Sequence, residues 1–463
     1  MFDTKVYIQR REYLKTQIKS GIILFLGNEE SSMNYPANTY PFRQDSSFLY
    51  FLGLDIPGLA AVIDVEEDKE ILFGEDVTME DIIWMGSLPS LKGRARMAGI
   101  KKTAPTADLE KTLRDAIKKG KKIHYFPPYR AEAALKIEEL LGIHSKLAKY
   151  YASRDLIKAV VKQRSAKSKE EIEEIEKAHQ VTYEMHTTAM KMARPGIYEK
   201  EIVGKIEGIA FSSGSLLAFP TIFTINGQIL HNHYHGNILK NGRLIVNDSG
   251  AESEMHYAAD ITRTFPVSGK FTQKQKEIYE IVLNAQLDAI RLIKPGIRYR
   301  DVHLRAAKKI ATGLTELGLM KDDVNEAVKA GAHALFFPHG LGHMLGLDVH
   351  DMEDLGEEFV GYNERIKRSE QFGLAYLRFA RDLHPGFVMT VEPGIYFIPA
   401  LIDKWIAEKE HHQFINYDKV NTYRDFGGVR IEDNVLVTKD GHRVLGKSIP
   451  KTIDDIEDIM TKS

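Results

Sequence analysis

One stretch of this chain is written twice. ARPGIYEKEI at 193–202 is echoed by IKPGIRYRDV at 293–302, with the Pro-Gly pairs one hundred residues apart. Each copy follows a long run with helical periodicity. In each, Pro-Gly stops that helix and a polar residue opens the next. The simplest reading is two related halves packed about a pseudo-twofold axis, with a site where they meet. Independent use of the same helix-stop chemistry is the rival reading.

Upstream of the repeat lies a segment of different character. Gly21–Gly27 is a short apolar run bounded by glycines, the pattern of a buried strand. Strands are then expected at Ser47–Leu52, Ala60–Val65, Glu70–Phe73 and Lys122–Tyr125, and helices at Ala107–Lys119 and Ala131–Leu141, after an amphipathic N-terminal helix. This reads as a smaller α/β domain over 1–160, followed by a second domain over 161–463. The basic and polar stretch between Arg154 and Lys169 leads into a long amphipathic helix, which Ser168 and Glu171 open with the spacing of a capping box. Trp84, in DIIWMGS, is expected to be a partly buried core residue.

Composition narrows the chemistry. The chain has no cysteine, so disulfides, thiolate metal sites and cysteine nucleophiles are excluded, and any metal must be held by His, Asp and Glu. A net charge of −2 gives no reason to expect nucleic acid or an anionic membrane surface as partner. The N-terminus has no apolar core of signal-peptide length, and no run could span a bilayer, so a cytoplasmic location is expected.

The acidic candidates sit at strand ends. LIVNDSGAESEMHYAADITRTFP, at 244–266, reads as a hairpin or two neighbouring strands carrying Asp248 and Asp260. Two such carboxylates repel unless a cation lies between them, and Arg263 points one way only. PHGLGHMLGLDVHD puts His339, His343 and His350 in a glycine-broken segment. VMTVEPGIY presents Glu392 before Pro-Gly, and GGVRIEDNVLV presents Glu432 near Arg430. Buried carboxylates need partners, and a metal supplies one for all. Asp248, Asp260, one of the histidines, Glu392 and Glu432 would balance two divalent cations, with manganese, cobalt or zinc suited to an oxygen-rich set. A rival cluster, His231, His233 and His235 in ILHNHYHGN, would share one face of a strand.

Taken in order, Asp248, Asp260, PHGLGH with His343, TVEPG with Glu392 and RIED with Glu432 resemble the pita-bread metallopeptidases, which include methionine aminopeptidase, aminopeptidase P and prolidase. YPFRQDSSFLYFLG at 40–53 is similar to the N-terminal domain of the last two. The resemblance implies an α+β fold with a creatinase-like pita-bread catalytic domain. It implies one metal on Asp260, His343, Glu392 and Glu432 and a second on Asp248, Asp260 and Glu432, manganese foremost. Glu392 would move the proton, while His350 and His231 would hold the scissile carbonyl region and the tetrahedral intermediate. His339 and Arg430 would stand on the substrate side.

AYLRFARDLHPGFVMTVEPGIYFI and the long insert before YRDFGGVRIED look like prolidase. Arg378 would then clasp the carboxylate of a Xaa-Pro dipeptide, the alternative being a surface arginine in a basic patch with Arg381. Short proline-containing peptides are the expected partners, and a homo-oligomer, dimer or tetramer, the expected assembly. Aminopeptidase P action on longer peptides is the alternative. A creatinase-like hydrolase or a binding protein on the same fold would have lost ligands. The family commonly spaces its two aspartates one residue closer than here, where Asp260 follows Asp248 by twelve. A bulge or a longer turn in the hairpin would absorb the difference, and the bulge is preferred because the flanking DITRTFP is intact.

Overall fold

The computed structural model describes residues 1–462. The chain divides into two compact units, one of Met1–Arg164 with Met352–Phe359 and one of Ser165–Asp351 with the chain from Val360 onward. Among the described residues, no helix is long and apolar enough to cross a membrane.

The first unit is built on a mixed five-stranded sheet, from β1 (Ile22–Leu26), β2 (Ala60–Asp64), β3 (Lys69–Phe73), β4 (Lys102–Ala104) and β5 (Ile123–His124), in the order β4-β3-β2-β1-β5. Short continuous apolar runs make its central strands, as expected. Residues 47–52 are not a strand. They form the helix Ser46–Leu52, opened by the Asp45 side chain on Phe48 N–H and closed by Gly53 at φ 67°. Every residue of that helix is buried, so the run SSFLYFL shows no periodicity, and its caps decide the conformation. Trp84 is likewise not core: it is 79% exposed on the helix Met79–Met85, which buries none of its residues.

The second unit repeats itself. Its first half opens with the helices Lys169–Met192 and Glu199–Ser212, its second with Gln273–Leu292 and Tyr299–Glu316. Both leading helices begin on capping boxes, Ser168 with Glu171 and Thr272 with Gln275. Both end at the Pro-Gly turn, where Gly196 and Gly296 take φ of 95° and 84°, values that L side chains resist. The bonds beyond the turn also correspond: Gly196 N–H donates to Leu239 O and Gly296 N–H to Leu383 O, each at 2.9 Å. Ile175, Ala178, Met185 and Ala189 bury one stripe of the first helix, and Ile278, Val282, Ala285 and Ala289 bury the matching stripe of the other. At roughly 1.5–3 kcal/mol for each large apolar side chain, such stripes fix the helices against the strands that carry the site.

Those strands are β6 (Ile222–Thr224), β7 (Leu244–Ser249) and β8 (Ile261–Pro266) in the first half. In the second they are β9 (Val388–Val391), β10 (Gly394–Tyr396), β11 (Gly428–Arg430), β12 (Asp433–Val437) and β13 (His442–Val444). β6-β7-β8 and β13-β12-β9 are antiparallel sheets, and β10 pairs with β11.

Candidate metal centre

Register brings the first two carboxylates together. In the β7–β8 ladder Asp248 lies opposite Thr262 and Ser249 opposite Ile261. Alternation along β8 then puts Asp260 on the same face as Thr262, and so beside Asp248. The ladder is interrupted at Gly250, where a Cβ would lie 1.8 Å from Ala259 O. It resumes at the Glu252–Ala258 bridge in unchanged register, and Ser253 N–H donates to Tyr257 O at 2.8 Å. No residue is inserted along the strands, so the expected bulge is absent. The extra residue sits in the turn, where His256 takes φ 66°.

The second hairpin does the same with glutamates. Asp433 lies opposite Val391 in β12–β9, and Arg430 opposite Gly394 in β11–β10. The register is continuous across the gap, so Glu392 faces Glu432. The two hairpins are stitched together: Glu432 N–H donates to Thr262 O at 3.0 Å, and Asn434 donates from Nδ2 to Asp260 O at 2.7 Å while accepting from Asp260 N–H. His343 is held beside them by Thr390 N–H on its carbonyl at 3.0 Å. Its Nδ1 meets Met344 O at 3.0 Å, which turns Nε2 toward Asp260 Oδ2 at 3.3 Å and Glu392 Oε1 at 3.5 Å. Gly342 permits that approach, since a Cβ there would lie 2.2 Å from Thr390 O.

The resulting cluster is buried and short of positive charge. Ligand atoms of Asp260, His343 and Glu432 all lie within 4.8 Å of one another, the one such group among the described residues. Burial, then Asp248, holds the Asp260 carboxyl well above the usual range. Glu432 is raised by burial and by Asp260 and Glu392. Glu392 is pushed up to about 7 by burial, against the opposing pull of His343. Arg263, the cation weighed from the sequence, pairs with Asp433 instead, and the cation that does meet the aspartates is Arg430, whose Nη2 lies 2.6 Å from Asp248 Oδ2. Arg430 reaches only one oxygen. Asp248 Oδ1 and Glu432 Oε1 are buried with no hydrogen-bond partner. Two orphaned anionic oxygens beside three raised carboxyls and an imidazole fit a divalent metal site.

The remaining candidates fall around this centre. His350 packs its ring on His343 with centroids 4.2 Å apart. His231 is lowered by burial and by Arg430, while Asp248 raises it, so it lies within the same field. The strand expected for 231–235 does not form. His233 and His235 turn Nδ1 toward the carbonyls of Thr221 and Phe223, at 3.5 and 3.2 Å, so the three histidines do not converge on a centre of their own. His339 contacts Gly340 O at 2.8 Å and the Tyr396 hydroxyl at 2.9 Å, and burial pushes it down to about 3. Arg430, expected on the substrate side, donates to Asp248, Tyr396 and Thr262. Arg378 is half-buried in an irregular segment. Arg381 is half-buried as well: its guanidinium lies 5.0 Å from the centre of the Phe387 ring, donates to Ser165 Oγ at 2.7 Å, and is lowered to about 10 by burial.

The model of metallopeptidase family M24 matches residues 173–439. The chain belongs to this family. The model of the aminopeptidase P N-terminal domain matches residues 7–125. A probable Xaa-Pro aminopeptidase of Fusarium vanettenii is 34% identical over 426 residues, 91% of this chain and 88% of the relative. The Xaa-Pro dipeptidase of Homo sapiens is 31% identical over 453 residues, 96% of this chain and 89% of the relative. Zinc-substituted E. coli aminopeptidase P in complex with product superposes with a TM-score of 0.82 at 30% identity, covering 100% of this chain and 99% of the other.

For this M24 chain, sequence reasoning passed over several residues that shape the centre. Tyr396 joins His339 to Arg430 through one hydroxyl, both contacts at 2.9 Å. Thr262 donates to Glu432 Oε2 at 2.7 Å, and Thr390 to Glu392 Oε1 at 3.2 Å. A signal was present for the two threonines, each two positions from a candidate ligand and so on its face of a strand. Tyr396 also lies at even spacing from Glu392, but nothing local announces its partner 34 residues away.

Proposed function

We propose that the protein is a metal-dependent exopeptidase that hydrolyses the bond between an N-terminal residue and proline, with Xaa-Pro dipeptides favoured. The observation that carries this reading is the convergence of four carboxylates and one imidazole on a buried face where two carboxylate oxygens lack a donor. Asp248, Asp260, His343, Glu392 and Glu432 hold two divalent ions in this reading, manganese first, cobalt or zinc next. When bound, such metals supply a water acidified toward neutral pH and Lewis acidity for the scissile carbonyl. Glu392 accepts the proton of the attacking water and returns it to the leaving nitrogen of proline. His350 and His231 donate to the carbonyl region as negative charge develops there. His339 lines the substrate side, and Arg430 acts by holding Asp248. Arg378 clasps the dipeptide's terminal carboxylate with its planar fork.

The deciding experiment compares a Xaa-Pro dipeptide with a Xaa-Pro tripeptide in wild type and Arg378→Ala. Loss confined to the dipeptide supports the clasp. Unchanged dipeptide turnover removes the dipeptide preference while leaving the metallopeptidase reading in place. The second reading, action on longer peptides, is favoured by the aminopeptidase names of several relatives. A cytoplasmic homo-oligomer completes the proposal, with exposed Trp84 as the side chain to test. Unchanged assembly of Trp84→Ala in sedimentation takes it out of that role.

A further inference from the structure

Beside the proposed centre lies a charge pair that neither the metal nor the proposed chemistry uses. Lys167 Nζ meets Asp351 Oδ2 at 2.8 Å, and both side chains are 1% exposed. Asp351 directly follows His350, so whatever fixes Asp351 fixes the base of the His350 side chain. The segment 344–351 has no regular structure and must be held by other means. Asp351 N–H closes it on Met344 O at 2.9 Å, and Leu345 N–H ties it to Val388 O at 3.0 Å. The ion pair packs against Gly346, where a Cβ would lie 2.6 Å from Asp351 Oδ2 and 2.8 Å from Lys167 Cε. Gly346 O in turn accepts from Ala258 N–H at 2.8 Å, in the hairpin that carries Asp260.

Lys167 is itself firmly placed. Its N–H donates to Gly386 O at 2.8 Å, ahead of β9, and the next residue opens the capping box of the helix Lys169–Met192. The capping glutamate, Glu171, also accepts from the Tyr257 hydroxyl at 3.0 Å, in the turn of the Asp260 hairpin. The cation therefore stands on a rigid platform shared with that hairpin, while its partner anion belongs to the irregular segment. A buried pair whose two halves sit on unequal supports transmits the position of the firmer one.

We propose that Lys167, through Asp351, is a positioning residue that sets His350 against the reacting centre, distinct from the residues that hold metal. This rests on the reading in which His350 serves the reaction. The pair resembles the outer-shell contacts whose loss costs about 10–100-fold in activity.

The test is a cycle on the purified, metal-loaded protein with a Xaa-Pro dipeptide, measuring kcat, KM, bound metal and thermal stability. Lys167→Met alone takes the cation from a buried anion, so the main variant is Lys167→Met with Asp351→Leu, an apolar replacement that commonly preserves folding. Gly346→Ala, which crowds the pair without removing charge, is the second. Expected are unchanged metal content, a fall in kcat of about 10–100-fold with KM altered less than about threefold, and recovery of most of kcat in Lys167→Arg. Adding His350→Ala to the main variant should cost nothing beyond His350→Ala alone. Full additivity, or unchanged kcat in the main variant and in Gly346→Ala, overturns the proposal. If His350→Ala itself leaves turnover intact, the role assigned to His350 fails first and takes the proposal with it.

Discussion

Glu432 and Asp433 are neighbours in the chain and nearly equally buried, at 1% and 4% exposure, yet they titrate in opposite directions. Glu432 points toward Asp260 and Glu392 and is raised. Asp433, one residue on, points to the other side of the strand. There Arg263 Nη2 meets it at 2.7 Å and Lys451 Nζ at 2.5 Å, and these partners overcome the cost of burial and hold it below the usual range. Arg263 also donates from Nη1 to Thr262 O and Glu432 O, at 3.0 and 2.6 Å, so the paired side of the strand fixes the backbone of the unpaired side. Burial costs both carboxylates alike, and partner charge decides the outcome. One side of the strand carries its own cations, and the other is built to receive them.

The comparison breaks most visibly at Glu432. Glu432→Gln should lower turnover of a Xaa-Pro dipeptide by at least about a hundredfold, above the range for lost outer-shell contacts, with a matching loss of bound metal. In the metal-free protein the same change should raise the melting temperature, because a carboxylate crowded by others is gone. Asp433→Asn should do the reverse. It leaves Arg263 and Lys451 facing a neutral amide, with an expected loss of about 3–5 kcal/mol in unfolding free energy. Equal effects of the two substitutions on the metal-free protein would erase the distinction.

Acid and base should act on the two sides separately. The Glu392 carboxyl rises from its ordinary 4.5 to about 7 in the folded chain, so between those values the folded state holds more protons than the unfolded one. The Glu392 contribution to the stability of the metal-free protein should therefore fall as pH rises from about 4.5 to about 7, then level off, while Asp260 and Glu432 act in the same direction. Asp433, lowered from an ordinary 3.8, contributes stability above that value, which is lost as pH falls below it. Saturating metal should flatten the first dependence and leave the second, a result readable from chemical denaturation at several pH values. The smallest expected effect is at Tyr396. Tyr396→Phe removes the hydroxyl between His339 and Arg430 and should cost about 1 kcal/mol, or roughly fivefold in kcat, with metal content unchanged.

How much of this the sequence could disclose follows from the range of each interaction. The repeated Pro-Gly turns and the two capping boxes are local, and the repeated halves were legible in them. The candidate carboxylates also stood out locally, at apolar strand ends, while His343 was singled out from its neighbours His339 and His350 only by the family resemblance. Which carboxylate faces which depends on register, and the bulge expected between Asp248 and Asp260 shows how little of register a linear count contains. Ser46–Leu52 was misread because complete burial erases periodicity, leaving only its caps as signal. Arg430 beside Asp248 and Arg381 on Ser165 join residues far apart in the chain, and a list of charges names neither partner.

The most direct measurement is a titration of the chelated protein with manganese, followed together by calorimetry in two buffers of different ionisation enthalpy and by hydrolysis of a Xaa-Pro dipeptide. Expected are about two metals bound per chain, protons released as the raised carboxyls ionise, and turnover that appears only with the bound metal. Full turnover in protein stripped of metal, or metal binding without proton release near pH 6, would contradict a centre whose carboxylates are completed by cations the chain does not carry.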